Sequence, residues 1–338
     1  VHILVTGGAG YIGSHTVLEL LNAGYKVSVI DNLSNSSIEA LKRVTTITGK
    51  KSINYTFDLR NTDKLDNLFA KNDFDAVIHF AGLKAVGESV KEPLHYYSNN
   101  IGSSLSLLKT MQKHQVKQLV FSSSATVYGS PKTVPIKESD PTGQNITNPY
   151  GKTKYFIEEM LKDLSLTNEG WHITSLRYFN PVGAHPSGLI GEDPNGLPNN
   201  LMPYISQVAV GKIKSLQVFG NDYPTADGTG IRDYIHVVDL AKAHLASIQT
   251  PAKAGQYRAI NIGTGHGTSV LQLLKTFIDV NNVIIPYKIV GRRPGDVAFC
   301  YADATRAEKL LGFKTTKTLD QCCQDAWRWQ SHNPNGYN

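Results

Sequence analysis

Short apolar runs alternate with amphipathic stretches along the first 180 residues. His2 to Val5, Lys26 to Ile30, Ile53 to Phe57, Ala76 to Phe80, Gln118 to Phe121 and His172 to Leu176 are apolar nearly throughout, which predicts strands buried on both faces. Between them, Ser14 to Asn22, Ser36 to Ile47, Thr62 to Ala70 and Ser103 to His114 carry apolar residues at helical spacing. Strict alternation of strand and helix predicts a doubly wound parallel sheet of the α/β class. After Arg177 the alternation gives way to a Gly-, Pro- and Asn-rich stretch from Pro181 to Pro203. Mixed elements follow, with helices expected near Leu201 to Val210, Val237 to Ile248, Val270 to Val280, Thr305 to Leu310 and Leu319 to Trp329. The pattern places a parallel-sheet domain over 1–180 and a smaller mixed α/β lobe over 181–338, with room for segments of the second to return to the first.

Composition narrows the class. Hydrophobic residues make up 41% of the 338 and charged residues 18%, too apolar a mix for a disordered chain. No apolar run approaches the ~18–20 residues that span a bilayer, so no membrane is expected. The formal charge is +6, but the longest basic runs are the pairs Lys50-Lys51 and Arg292-Arg293, which is no nucleic-acid stripe. A few cations remain to serve an anionic small molecule. Cys300, Cys322 and Cys323 form neither a disulfide frame nor a zinc pattern, so no metal is expected and a reducing, cytoplasmic compartment is read. Strand-like sequence from Val1 leaves no space for a signal peptide, although a chain that begins without Met leaves a removed leader open.

Thr6-Gly7-Gly8-Ala9-Gly10-Tyr11-Ile12-Gly13 sits where the first strand meets the first helix. Glycines at 7, 10 and 13 allow a tight turn, backbone approach to a pyrophosphate and close packing of helix on sheet. In a chain with 29 Gly the run could be a mere turn, but the second strand ends at Asp31, where a carboxylate would accept from an adenosine ribose. That carboxylate would repel a 2′-phosphate, so a Rossmann-type site for NAD rather than NADP is predicted. Asp58, after the third strand, reads either as an adenine contact or as a helix cap. Phe80-Ala81-Gly82 closes the fourth strand with small residues suited to a nearby ligand, or to a turn.

Tyr150 and Lys154 lie one helical turn apart, so a helix presents both on one side. An ammonium near a phenol favours phenolate and would draw the tyrosine pKa toward neutrality, making it a base for a hydroxyl proton. Such pairs also arise by chance: Tyr128 and Lys132 share the spacing, with Gly129 and Pro131 between them to disfavour a helix. Tyr150 instead follows Asn148-Pro149, a cap and first-turn proline, and precedes a helical run. Ser122-Ser123-Ser124 closes the fifth strand at the carboxyl edge, where α/β folds bind ligands; alone these are turn or cap residues, and beside the pair Ser124 reads as catalytic.

Thr6 to Gly13, Asp31, Ser124 and Tyr150-x-x-x-Lys154 resemble the extended short-chain dehydrogenase/reductases. Within these, Phe80 to Ser89, Ser122 to Gly129, Leu176 to Asn180, Gly228 to His236 and Arg292 to Asp296 are similar to the UDP-galactose 4-epimerases, over nearly the whole chain. The resemblance implies a tightly held NAD recycled in each turnover and reversible inversion at C4 of UDP-galactose and UDP-glucose through a 4-keto sugar. It implies that Tyr150 is the base, that Lys154 holds the nicotinamide ribose, and that Ser124 bridges to the reacting oxygen. The cofactor set it implies adds Tyr11, Ile12, Asn32, Asn35, Ser36, Leu59, Lys84, Asn99, Ser122 and Tyr178 to the residues above. For the UDP-hexose it implies Lys84, Asn180, Asn200, Leu201, Phe219, Arg232, Tyr234, Arg293 and Asp296; an Arg232-Asp233 ion pair, a core role for Phe219 and a turn role for Asp296 are the alternatives. Cys300 stands where members restricted to glucose and galactose carry a large aromatic, which implies room for a 2-acetamido group, unless this Cys packs as a small hydrophobe. A homodimer through helices of the first domain is also implied. A 4,6-dehydratase or a decarboxylase would need acids at Ala125 and Thr126, and a noncatalytic NAD-sensing module would be expected to lack Tyr150 or Lys154.

Overall fold

The computed structural model describes every residue except Asn168, Asn195, Leu197 and Pro294. The expected parallel sheet forms from β1 (His2–Thr6), β2 (Lys26–Asp31), β3 (Ile53–Thr56), β4 (Ala76–His79), β5 (Gln118–Ser124) and β6 (His172–Tyr178). Helices α1 (Tyr11–Asn22), α2 (Ile38–Thr48), α3 (Thr62–Ala70), α4 (Val86–Lys91), α5 (Pro93–Tyr96), α6 (Gly102–Lys113) and α7 (Pro149–Ser165) connect them. Alternation of side chains across the pleat separates two cores. Ile3 and Val5 face α1 and α2 with Val17, Val29 and Leu41, whereas Leu4 joins Ile30, Val77, Phe121, Ile157 and Trp171 on the other face.

Beyond β6 the chain leaves the sheet through β7 (Asn180–Val182), α8 (Leu201–Ala209), β8 (Leu216–Phe219), β9 (Ile231–Arg232) and β10 (Tyr234–His236), then comes back. Helix α9 (Val237–Gln249) packs on α1, and β11 (Gln256–Ile262) pairs in parallel with β6 as the seventh strand of the order β11-β6-β5-β4-β1-β2-β3. The helix at Val237, placed by the sequence pattern in the second lobe, thus covers the first sheet. Its apolar stripe, including Leu240 and Ala243, fits the α1 surface and completes that core. The remaining elements, β12 (Thr268–Ser269), α10 (Val270–Asn281), β13 (Tyr287–Val290), β14 (Phe299–Cys300), α11 (Thr305–Leu311) and α12 (Leu319–His332), follow. In the second lobe α8, α10 and α12 enclose a core with Ile205, Leu216, Phe277 and Cys323. Strand order reverses between β1 and β4, the place where open α/β sheets bind ligands at their carboxyl edge. Among the described residues no helix is long and apolar enough to cross a membrane, and no cluster of metal-ligating side chains occurs.

Candidate active site

The glycine loop is shaped by contact rather than by flexibility. A Cβ on Gly7, whose φ is +69°, would lie 2.7 Å from the Ala81 nitrogen, and one on Gly13 would lie 2.2 Å from the Gly7 oxygen. Gly10 has no such crowding, its nearest atom being the Gly7 oxygen at 3.4 Å. Gly10 is also the N-cap of α1 and offers no side chain to the first turn, so the N–H groups from Tyr11 onward can meet an anion. This cradle fits a dinucleotide pyrophosphate. Asp31 accepts from Ala9 N (3.0 Å), Leu33 N (2.9 Å) and Ser36 Oγ (2.8 Å), holding the loop beside the end of β2. Asn32 and Asn35 are exposed at this rim, and Asn32 reaches Asp58 at 3.3 Å.

Asp58 is not a helix cap: Asn61 caps α3, accepting from Lys64 N. Asp58 instead takes a two-point ion pair from Arg60, Nε at 2.9 Å and Nη2 at 2.8 Å, which holds its carboxyl down to about 2. Leu59 turns its side chain into the core, leaving only its backbone for a ligand. Phe80 packs on His244, with ring centroids 4.6 Å apart, and Ala81 and Gly82 line the close approach to Gly7 and Asn100. Asn99 is half-buried in the π-turn before α6. Lys84 bonds Glu192 at 3.0 Å, and Asn200 meets the same carboxylate oxygen at 2.9 Å. Glu192, with no motif around it, gave no sequence signal.

Helix α7 starts as its sequence dictates, with Asn148 accepting from Gly151 N and Pro149 in the first turn. Lys154 is buried; its ammonium donates to Ser122 O at 2.6 Å and lies 5.9 Å from the Tyr150 ring centroid. Ser124 accepts from Thr126 N, capping a short 3-10 turn, and lies close enough to the Tyr150 phenol to favour its ionised form. The cap reading of that serine holds, and its place beside Tyr150 is what the catalytic reading needs. The electrostatics correct the expectation drawn from spacing. Burial pushes the Tyr150 phenol up to about 12, with Ser124 pulling it back, and pushes Lys154 down to about 7. Desolvation outweighs the help that Ser124 gives the phenolate and Glu158 gives the ammonium, so the chain alone keeps the phenol protonated. Tyr178, at the end of β6, bonds Ser122 through its hydroxyl and is raised by burial.

On from β6, Asn180, Asn200, Leu201, Phe219, Arg232, Tyr234, Arg293 and Asp296 line one cavity, with Met202, Tyr204 and Tyr223 as additions the sequence did not flag. Arg232 does not pair with Asp233, whose buried carboxylate accepts from Thr264, Gly265 and Ala302 N–H groups. Arg232 is instead fixed by Ile231 O and Val297 O, and both it and Arg293 face Asp296, at 3.7 and 3.0 Å. Arg293 lies 5.7 Å from the Phe219 ring centroid, so Phe219 is a cavity wall rather than core. Pro294, inside the Arg292 to Asp296 run, lies outside the described residues. Cys300 is half-buried on β14 opposite Arg232 and packs near Phe179 and Ala302, beside this cavity rather than among its lining residues.

Residues 3–263 match the model of the NAD dependent epimerase/dehydratase family. The chain is 58% identical to the UDP-glucose 4-epimerase of Bacillus subtilis over 99% of this chain and 98% of that protein. It superposes on the UDP-glucose 4-epimerase of Bifidobacterium longum, solved with NAD+ and UDP, at a TM-score of 0.96 and 56% identity, covering 99% and 100% of the two chains. A further structure, the UDP-Glc/GlcNAc 4-epimerase of Campylobacter jejuni, matches at 0.84 and 35% identity over 98% and 99%.

Proposed function

The chain belongs to the NAD dependent epimerase/dehydratase family, in its UDP-glucose 4-epimerase branch, and from that premise we propose how its residues invert C4 of UDP-glucose and UDP-galactose. One observation carries the reading: Tyr150, Lys154 and Ser124 meet at the carboxyl edge of β5, while the next strand leads into a cavity holding two arginines. NAD, when bound, supplies the acceptor and then the donor of the C4 hydride. Tyr150 takes the proton of the sugar 4-hydroxyl and later returns it, with Ser124 bridging to the same oxygen. Burial holds the Tyr150 phenol up, and the cationic ring of a bound NAD would supply the opposing charge. Arg232 and Arg293 hold the diphosphate, where a planar fork suits phosphate oxygens, and the 4-keto sugar turns about its bond to that anchor. Inversion of UDP-galactose by the purified protein without added NAD tests this; a keto-deoxy product or no turnover would refute it.

We also propose that UDP-N-acetylglucosamine and its galacto epimer are substrates. The support is the small side chain of Cys300 next to Arg232, together with the C. jejuni relative named for both sugars. In Cys300→Tyr, turnover of the acetamido pair is expected to fall at least roughly tenfold, the scale of a steric loss of 1–3 kcal/mol, with the plain pair little changed. Equal rates on the acetamido pair would exclude the gate.

The protein is further proposed to act as a homodimer. Val90, Leu94 and Phe156 are exposed on α4, α5 and α7, helices that pack on one another in the first domain. Light scattering should give twice the chain mass, and Phe156→Glu should move it toward the single-chain value; a monomeric parent protein at micromolar concentration excludes the dimer.

A further inference from the structure

Tyr150, Lys154 and a third residue, Glu158, recur at intervals of four along one side of α7. Glu158 is fully buried, and no step of the reaction above uses it. Its Oε1 accepts from Ser123 Oγ at 2.5 Å and from Arg177 Nε at 2.9 Å; its Oε2 accepts from Arg177 Nη2 at 2.6 Å. The pleat explains the division of labour on β5. Ser123 points toward α7, on the face shared with Phe121, while the Ser122 carbonyl accepts from Lys154 and Ser124 lies beside Tyr150. Arg177 sits on β6, immediately before Tyr178, and passes on through Tyr128 (2.9 Å) to Asn261 of β11 (2.7 Å). One carboxylate therefore joins the helix of the base, the strand of Ser124 and the strand of Tyr178.

We propose that Glu158 is a positioning residue: by clamping Ser123 and Arg177 it fixes Tyr150 and Lys154 over the β5 edge, and its negative charge, one helical turn along α7, favours the buried Lys154 ammonium. This rests on the epimerase reading. A buried ion pair is a poor source of net stability, because desolvation of two charges offsets their attraction, so a role in geometry explains its presence better. Among the groups around Lys154, Glu158 is the carboxylate one helical turn away, its oxygens held by Ser123 and Arg177. Tyr150 shares its helix, Ser122 O and the Phe121 ring come from β5, and neutral His79 comes from β4, its imidazole pushed down to about 3 by burial. On its other side Glu158 faces Arg177 from β6 and Tyr257 from β11. Glu158 raises Lys154 against the burial that lowers it, and the pyridinium charge of a bound NAD would lower it further.

The test is the pH profile of kcat for holoenzyme with UDP-galactose. An active lysine that must stay protonated loses function as pH rises through its pKa. Removing the carboxylate by Glu158→Gln should therefore move the alkaline limb down by about one pH unit or more, with KM little changed. Glu158→Asp keeps the charge and shortens the clamp, so its alkaline limb should stay in place while kcat falls. Ser123→Ala, which deletes one anchor and keeps both charges, should lower kcat by roughly threefold or more at constant KM, and it serves where the Gln variant does not fold. A folded Glu158→Gln with the parental limb, or Ser123→Ala with parental kcat, overturns the proposal. A parent protein that does not invert UDP-galactose would overturn the epimerase reading instead.

Discussion

Replacing Tyr150 by Phe is expected to lower kcat by about 10³-fold while leaving UDP affinity unchanged within about twofold, because positioned general-base catalysis is worth ~10²–10⁴. The substitution removes one oxygen and keeps the ring, so the packing of α7 survives. What is lost is the hydroxyl beside Ser124, at the edge where the sugar oxygen must arrive. The arginine-lined cavity includes neither Tyr150 nor Lys154 among its walls, so nucleotide binding has no reason to change. Steady-state rates together with calorimetric titration of UDP check both halves. A variant with kcat within tenfold of the parent would remove Tyr150 from the chemistry.

Arg232→Met should do the converse: KM for the UDP-sugar rises roughly 10- to 150-fold, the equivalent of a charged hydrogen bond worth ~1.5–3 kcal/mol, and kcat stays within about threefold. The guanidinium is held by two carbonyls on its Nη1 side, so its remaining donors are fixed in place before ligand arrives. Asp296 lies 3.7 Å away and would be left facing the phosphates with Arg293 alone, adding repulsion to the lost attraction. Measurement of KM and kcat across rising salt separates the two contributions, since screening weakens exposed charges most. A variant losing kcat with KM unchanged would place Arg232 at the reacting carbon instead.

The parts of this protein that could be read from its sequence are those set by local rules. Alternating runs placed the six strands that lead up to Tyr178, and a cap, a proline and an apolar stripe placed the helix of Tyr150 and Lys154. The carboxyl-edge rule brought Ser124 to them. What escaped depends on the chain meeting itself far along. The return of β11 beside β6 is a choice of edge that no strand pattern encodes. Arg232 ignores its neighbour Asp233 because three distant N–H groups fill that carboxylate. Glu158 and Arg177 are ordinary helix and strand residues until the fold buries them together. The direction of the Tyr150 shift is hidden from the sequence for the same reason: spacing reports which charges are near, and burial decides how strongly each resists being charged.

The most direct test follows the hydrogen at C4. UDP-galactose carrying deuterium there is incubated with the purified protein in ordinary water, without added NAD, and the UDP-glucose formed is examined by NMR. Removal and return of one hydride within a single closed site predicts that the label stays at C4, with a slowed rate. Exchange of that deuterium for solvent hydrogen, or a product deoxygenated at C6, would contradict the account.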